Sequence, residues 1–129
     1  IERMRDRDPL EALASGSGAD IVAMTATLIG VATAKIPILL DGVVSSAAAV
    51  AAEHLAPGVR EWMVAGHQST EPGQSRALAF LDRDPILDLG MRLGEGSGAL
   101  TALPIINSAI LTLAEMATFE QANVSDRIS

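Results

Sequence analysis

A chain of 129 residues is long enough for one ordinary domain and too short for two. Nearly half of it (49%) is apolar, mostly Ala, Leu, Ile and Val, with one Trp, two Phe and no Tyr, so a core must come from many small aliphatic contacts. A formal charge of −7, with Lys35 as the only lysine, argues against the basic surface that a nucleic-acid backbone requires, and the lack of cysteine excludes disulfides and thiolate metal sites.

The charged residues 1–7 read as a frayed start or the stump of an earlier element. Asp8 before Pro9 has the form of a helix N-cap and first turn, which predicts a short helix to about Ala14. Ser15-Gly16-Ser17-Gly18 breaks it. A second helix is expected from about Ala19 to Ala34, with Ser17 and Asp20 resembling a capping box and Ile21, Met24, Leu28 and Val31 on one face. Gly30 either weakens this helix slightly or allows close packing against a neighbour.

Ile36-Pro37-Ile38-Leu39-Leu40 is short, apolar and bounded by Lys35 and Asp41. It reads as a strand buried on both faces, as in parallel sheets. Asp41-Gly42 makes the turn into an Ala-rich helix from about Val43 to Leu55, closed by Pro57-Gly58. Trp62 to Ala65 is the next strand, followed by the loop 66–70 and a helix from near Glu71-Pro72 to near Asp82. Pro85 to Leu93 reads as an apolar connection ending in Gly94-Glu95-Gly96-Ser97-Gly98. A long helix to about Phe119 follows, kinked or reset at Pro104, with a loose polar tail.

Helices alternating with strands predict an α/β fold: part of a Rossmann-like parallel sheet flanked by helices, ending in a long C-terminal helix. The expected organisation is a single fragment. Residues 8–93 form its α/β part, and 94–129 form a loop, the last helix and the tail. Two strands make a poor sheet, and the chain opens on Ile1 without an initiator Met or signal-peptide pattern, so further strands are expected upstream. The charge-free run Ile21 to Ala34, and Leu100 to Leu113 with its breaks at Pro104 and Asn107, both fall short of the roughly 18 apolar residues of a spanning helix. The expectation is a soluble, cytoplasmic protein.

In an open parallel sheet, ligands bind beyond the carboxyl ends of the strands. Leu40-Asp41-Gly42 leads into a helix whose amides and positive dipole end suit a phosphate. The same residues also suit a plain turn, with Asp41 capping the helix. The loop Gly66-His67-Gln68-Ser69-Thr70-Glu71-Pro72-Gly73 gathers hydroxyls, an amide and an imidazole before a helix. Ser69 suits a phosphate oxygen or an N-cap, and His67 suits a base or a structural role. His54 and His67 are too few and too scattered for an ordinary metal cluster. Arg92-Leu93-Gly94-Glu95-Gly96-Ser97-Gly98 holds one carboxylate between glycines at the head of the last helix. Glu95 there suits either chemistry or the helix dipole. The spacing G-x-G-x-G is not a dinucleotide fingerprint.

The segments IPILLDGVVSSAAA, GHQSTEPG and LDLGMRLGEGSGALTALP, with Glu115-Met116-Ala117-Thr118-Phe119, lie in the order and spacing of a known family. Over essentially its whole length the chain resembles the carboxy-terminal third of the nicotinate-nucleotide:dimethylbenzimidazole phosphoribosyltransferases of cobalamin synthesis. The resemblance implies an α/β enzyme more than twice this long and homodimeric, without metal or organic cofactor. Its implied reaction moves phosphoribose from nicotinate mononucleotide to 5,6-dimethylbenzimidazole, giving α-ribazole 5′-phosphate and nicotinate. It also implies that Glu95 is the catalytic base, with Arg92, Leu93 and Gly94 beside it. Asp41, Gly42 and Ser69 fall near the ribose and phosphate. On that reading the 129-residue piece alone is inactive. Two other readings stand beside it: a separate subunit-interaction module, and an unrelated α/β nucleotide-binding domain.

Overall fold

The computed structural model describes residues 8–124, so the expectations for residues 1–7 and 125–129 lie outside it. The chain forms α1 (Pro9–Gly16), α2 (Ala19–Thr33), β1 (Ile38–Leu40), α3 (Val43–Leu55), β2 (Met63–His67), α4 (Pro72–Leu81), β3 (Pro85–Leu87) and α5 (Ser97–Glu115). A one-turn 3-10 helix, Val59–Trp62, precedes β2. The three strands pair in parallel in the order β1-β2-β3, with Ile38 opposite Met63 and His67 opposite Leu87. The α/β class, the parallel sheet and the long last helix therefore hold.

The third strand was read as a connection and is not one. Pro85 to Leu87 is too short to show a period. Pro85, which has no N–H to donate, is acceptable only as the first residue of a strand at the sheet edge. Pairing with β2 makes it a strand, and Gln68 N donates to Leu87 O at 2.7 Å to close the register. The sheet thus gains its third member from within this chain.

Local chemistry sets several boundaries. The Asp8 carboxylate accepts from Leu10 N at 2.9 Å and Glu11 N at 3.3 Å, so α1 starts as expected and runs on to Gly16. The expected Ser17–Asp20 capping box is not formed: the cap of α2 is Gly18, with no side-chain bond. The expected face of α2 is only half-buried. The deepest residues are Thr25 and Ala32, and Thr25 Oγ1 reaches Ala48 O of α3 at 3.4 Å. A Cβ at Gly30 would meet open space, so that glycine serves no close approach.

The core lies where α2 and α3 cover β1 and β2, around Ala32, Leu40, Ala49, Ala52, Met63 and Leu81. Alanines at 48, 49 and 52 are fully buried, which lets the α3 backbone lie close to both neighbours. On the other flank of α3, His54 stacks on Phe80 of α4 with ring centroids 4.7 Å apart.

Helix α5 ends at Glu115, short of the expected Phe119, and continues unbroken through Pro104 and Asn107. By length and composition it is long and apolar enough to cross a membrane, contrary to the expectation from its breaks. Its first turns bury Gly98 and Ala102 against the sheet, while Leu100, Ile110, Leu111 and Leu113 stay exposed.

Candidate active site

A cleft of about 400 Å³ opens at the carboxyl ends of β1 and β2, where a parallel sheet presents its loops. It is lined by Asp41 and Gly42 after β1, the first turn of α3, His67 at the end of β2, Ser69 beyond it, and Arg92, Gly94, Glu95 and Gly96 before α5. Six of the seven residues singled out as site residues are therefore brought together: Asp41, Gly42, Ser69, Arg92, Gly94 and Glu95. Leu93 does not line the cleft and is 76% exposed.

Asp41 caps a helix, but not the one that follows it. Its Oδ1 accepts from Gly98 N at 2.8 Å and Ala99 N at 3.0 Å, and its Oδ2 accepts from Gly96 N at 3.2 Å. These are the free amides of the α5 cap residue and first turn, more than fifty residues along the chain. Helix α5 has no side-chain cap of its own, so this carboxylate supplies both hydrogen-bond acceptors and charge to its positive end. The α3 start, by contrast, has Gly42 as cap with no side-chain bond, while Ser45 and Ser46 turn their hydroxyls to Gly42 O at 2.9 Å each. Its first amides thus face the cleft unoccupied by any side-chain cap, an arrangement suited to an anion.

His67 lies at the end of β2 and not in a loop, and it is 1% exposed. Its Nε2 is 3.5 Å from Asp41 Oδ1, too long for a strong hydrogen bond, and neither ring nitrogen has a hydrogen-bond partner among the described residues. The ring fills the space above Gly98, where a Cβ would overlap three of its atoms. Behind it, a Cβ at Gly66 would stand 2.9 Å from both Ala99 Cα and Leu40 O. Glycine at 66 and 98 is what permits α5 to cross the sheet this closely.

Gln74 was not singled out from sequence. It is fully buried on α4, where its Oε1 accepts from Ser69 N at 2.6 Å and its Nε2 donates to Asp41 O and His67 O, each at 2.9 Å. One amide side chain thereby ties the ends of β1 and β2 to the Ser69 loop. A glutamine in a polar stretch carries no local signal of such a role. Ser69 Oγ accepts from Glu71 N at 3.3 Å, and the cap position of α4 is Glu71, not Ser69 or Thr70.

Glu95 lines the cleft from a backbone in the left-handed region (φ 56°), flanked by Gly94 (φ 78°) and Gly96 (φ 77°). A non-glycine residue in this region costs of order 1 kcal/mol and persists only where its surroundings hold it. Here the hold is the Asp41 carboxylate on Gly96 and Gly98. Among the described residues, no group of three or more His, Asp or Glu side chains is placed to bind a metal.

The sequence and fold have clear relatives. Residues 1–124 match the model of a family described as phosphoribosyltransferase. A nicotinate-nucleotide–dimethylbenzimidazole phosphoribosyltransferase of Mycobacterium avium is 55% identical over 119 residues, which cover 92% of this chain and 34% of that protein. The protein of the same name from Corynebacterium glutamicum is 51% identical over 124 residues, covering 95% of this chain and 35% of its own. A crystal structure of the enzyme so named from Thermus thermophilus superposes with a TM-score of 0.89 at 40% identity, covering 95% of this chain and 37% of that one. The chain thus spans about a third of the length of these relatives. The match removes the alternative of an unrelated nucleotide-binding domain. With the motif loops assembled around one cleft and nearly the whole sequence matched, the chain belongs to this phosphoribosyltransferase family.

Proposed function

We propose that this chain forms part of an enzyme that transfers phosphoribose from nicotinate mononucleotide to 5,6-dimethylbenzimidazole, giving α-ribazole 5′-phosphate and nicotinate. The single observation that carries the proposal is the meeting of Glu95 with Gly42 and Ser69 across one cleft. Its volume of about 400 Å³ lies within the usual range of small-molecule sites. Relatives at 50–55% identity bear the name of that reaction.

In this reading the phosphate end of the nucleotide lies at the α3 start and Ser69, where free amides and a hydroxyl face an anion. Asp41 lies at the ribose side. Arg92 and Gly94 flank the base-binding end, which Leu93, turned outward, does not reach. One azole nitrogen attacks the anomeric carbon as the bond to nicotinate breaks. The electron pair leaves with the pyridine nitrogen, and the carbon inverts. The second azole N–H becomes acidic and gives its proton to the Glu95 carboxylate, which must come within about 2.6–3.2 Å of it. No metal or organic cofactor is needed for this displacement. The whole enzyme is proposed to be a cytoplasmic homodimer. The apolar side chains left exposed along α5 agree with further protein surface covering them.

The test is an assay of the full-length protein with nicotinate mononucleotide and a panel of azoles, with and without Glu95→Gln. Formation of α-ribazole phosphate by the parent, lost in the variant, supports the reading. Full turnover without the carboxylate sinks it. The 129-residue chain by itself is expected to give no product, since it spans a third of its relatives.

A further inference from the structure

We infer that Asp41 is a positioning residue for Glu95: its carboxylate is committed to the α5 entrance and aims the proton acceptor, and it does not serve as a substrate ligand. The inference rests on the reading of Glu95 as the base and adds to it the device that orients that base.

The hydrogen-bonding groups of Asp41 are engaged within the protein. Its amide donates to Ser45 Oγ at 3.0 Å and its carbonyl accepts from Gln74 Nε2 at 2.9 Å. Its two carboxylate oxygens take three amides from Gly96, Gly98 and Ala99. The backbone of Asp41 is thus anchored to α3 and α4, so the side chain has a defined direction. The buried His67 ring stands on its other side, with Nε2 3.5 Å from Oδ1, and bars the carboxylate from swinging toward β2.

Within the Glu95 segment itself, a single backbone bond closes the turn, from Ser97 N to Gly94 O at 3.0 Å. Its helix has Gly96 at the cap position with no side-chain bond of its own, and the buried hydroxyl of Ser97 has no hydrogen-bond partner among the described residues. Of the three consecutive left-handed residues 94 to 96, Glu95 alone is not glycine, and its conformation is one that persists where the surroundings hold it. The amide of Gly96, next to Glu95, is one of the three that Asp41 holds. Displacing a catalytic group by about 1 Å costs on the order of 100-fold in rate, so a cap one residue away is close enough to matter.

Asp41→Asn is the informative substitution. It keeps the shape and one acceptor oxygen, but it removes the charge and turns an amide donor toward the Gly96 amide. In the full-length enzyme we expect kcat to fall about 100-fold. KM for nicotinate mononucleotide should stay within about twofold, as expected when only transition-state alignment is lost. Because Asp41 acts through Glu95, adding Asp41→Asn to Glu95→Gln should cause no further loss of kcat. Asp41→Ser, followed in the same cycle, covers the case in which the asparagine variant does not fold, and thermal unfolding with nucleotide binding shows which variants are native. A raised KM with retained kcat would make Asp41 a substrate ligand and overturn the inference. So would losses that multiply in the double variant. Wild-type turnover by Glu95→Gln would instead remove the base itself, and the positioning role with it, a result separable from the others because it needs no change at Asp41.

Discussion

The imidazole of His67 occupies the volume in which a side chain at Gly98 would stand, with its Cδ2, Nε2 and Cγ all inside the reach of a Cβ there. The ring is 1% exposed and packed directly over that position. Gly98→Ala must therefore shift the α5 entrance and with it the amides that bind Asp41. Overpacking of this kind costs about 1–3 kcal/mol. The expected outcome in the full-length protein is a lower unfolding midpoint together with loss of transferase activity. A stable, active alanine variant would contradict the packing described.

Gly30 provides the matched control. It lies inside α2, is exposed, and has open space where a Cβ would be. Glycine in a helix interior is roughly 0.5–1 kcal/mol less favourable than alanine. Gly30→Ala should raise stability by about that amount in denaturant titration, with unchanged kinetics.

Gln74 satisfies three backbone groups with one side chain, two of them buried and one part-buried. Gln74→Leu would leave the Ser69 amide and the carbonyls of Asp41 and His67 without their partner. Stranded buried polar groups cost about 1–3 kcal/mol each. A large loss of stability is expected, measurable by thermal unfolding, and Gln74→Glu should recover only part of it because a carboxylate accepts but cannot donate.

Glu53 gives a stability term with a definite pH sign. Burial raises its pKa, but the amides of Arg60 and Gly58 and the Arg60 guanidinium outweigh burial and hold the carboxyl below its ordinary value of 4.5. The carboxylate accepts from Arg60 N at 2.8 Å and Gly58 N at 3.0 Å, securing the turn into β2. A depressed folded-state pKa contributes stability that is complete above the unfolded value and is lost as pH falls through the folded one. Unfolding midpoints should therefore fall in acid below about pH 4.5, and Glu53→Gln should flatten that part of the profile.

Features governed by neighbours within a few residues were legible from the chain. Asp8-Pro9 started α1, the alanine run 43–55 formed α3 within its expected bounds, and the apolar run before Asp41 formed β1. Where local signals were ambiguous, the outcome depended on partners elsewhere. The Ser17–Asp20 box lost to a Gly18 cap, and Pro104 did not interrupt α5.

The order of residues alone determined that strands alternate with helices, that their carboxyl ends carry Asp41-Gly42 and Ser69, and that one carboxylate stands between glycines ahead of α5. These are patterns of period, turn chemistry and backbone freedom, all encoded over short spans. Only the tertiary structure decided that Pro85 to Leu87 is a strand, that Asp41 caps α5 and not α3, that Leu93 turns out of the cleft, and that Gln74 ties two strand ends together. The β3 pairing, the Asp41 cap and the link from Gln74 to Asp41 O join groups 20 to 58 residues apart, which become neighbours only when the parallel strands align. Hydrogen bonds between such groups are set by that alignment, and no stretch of sequence contains both partners.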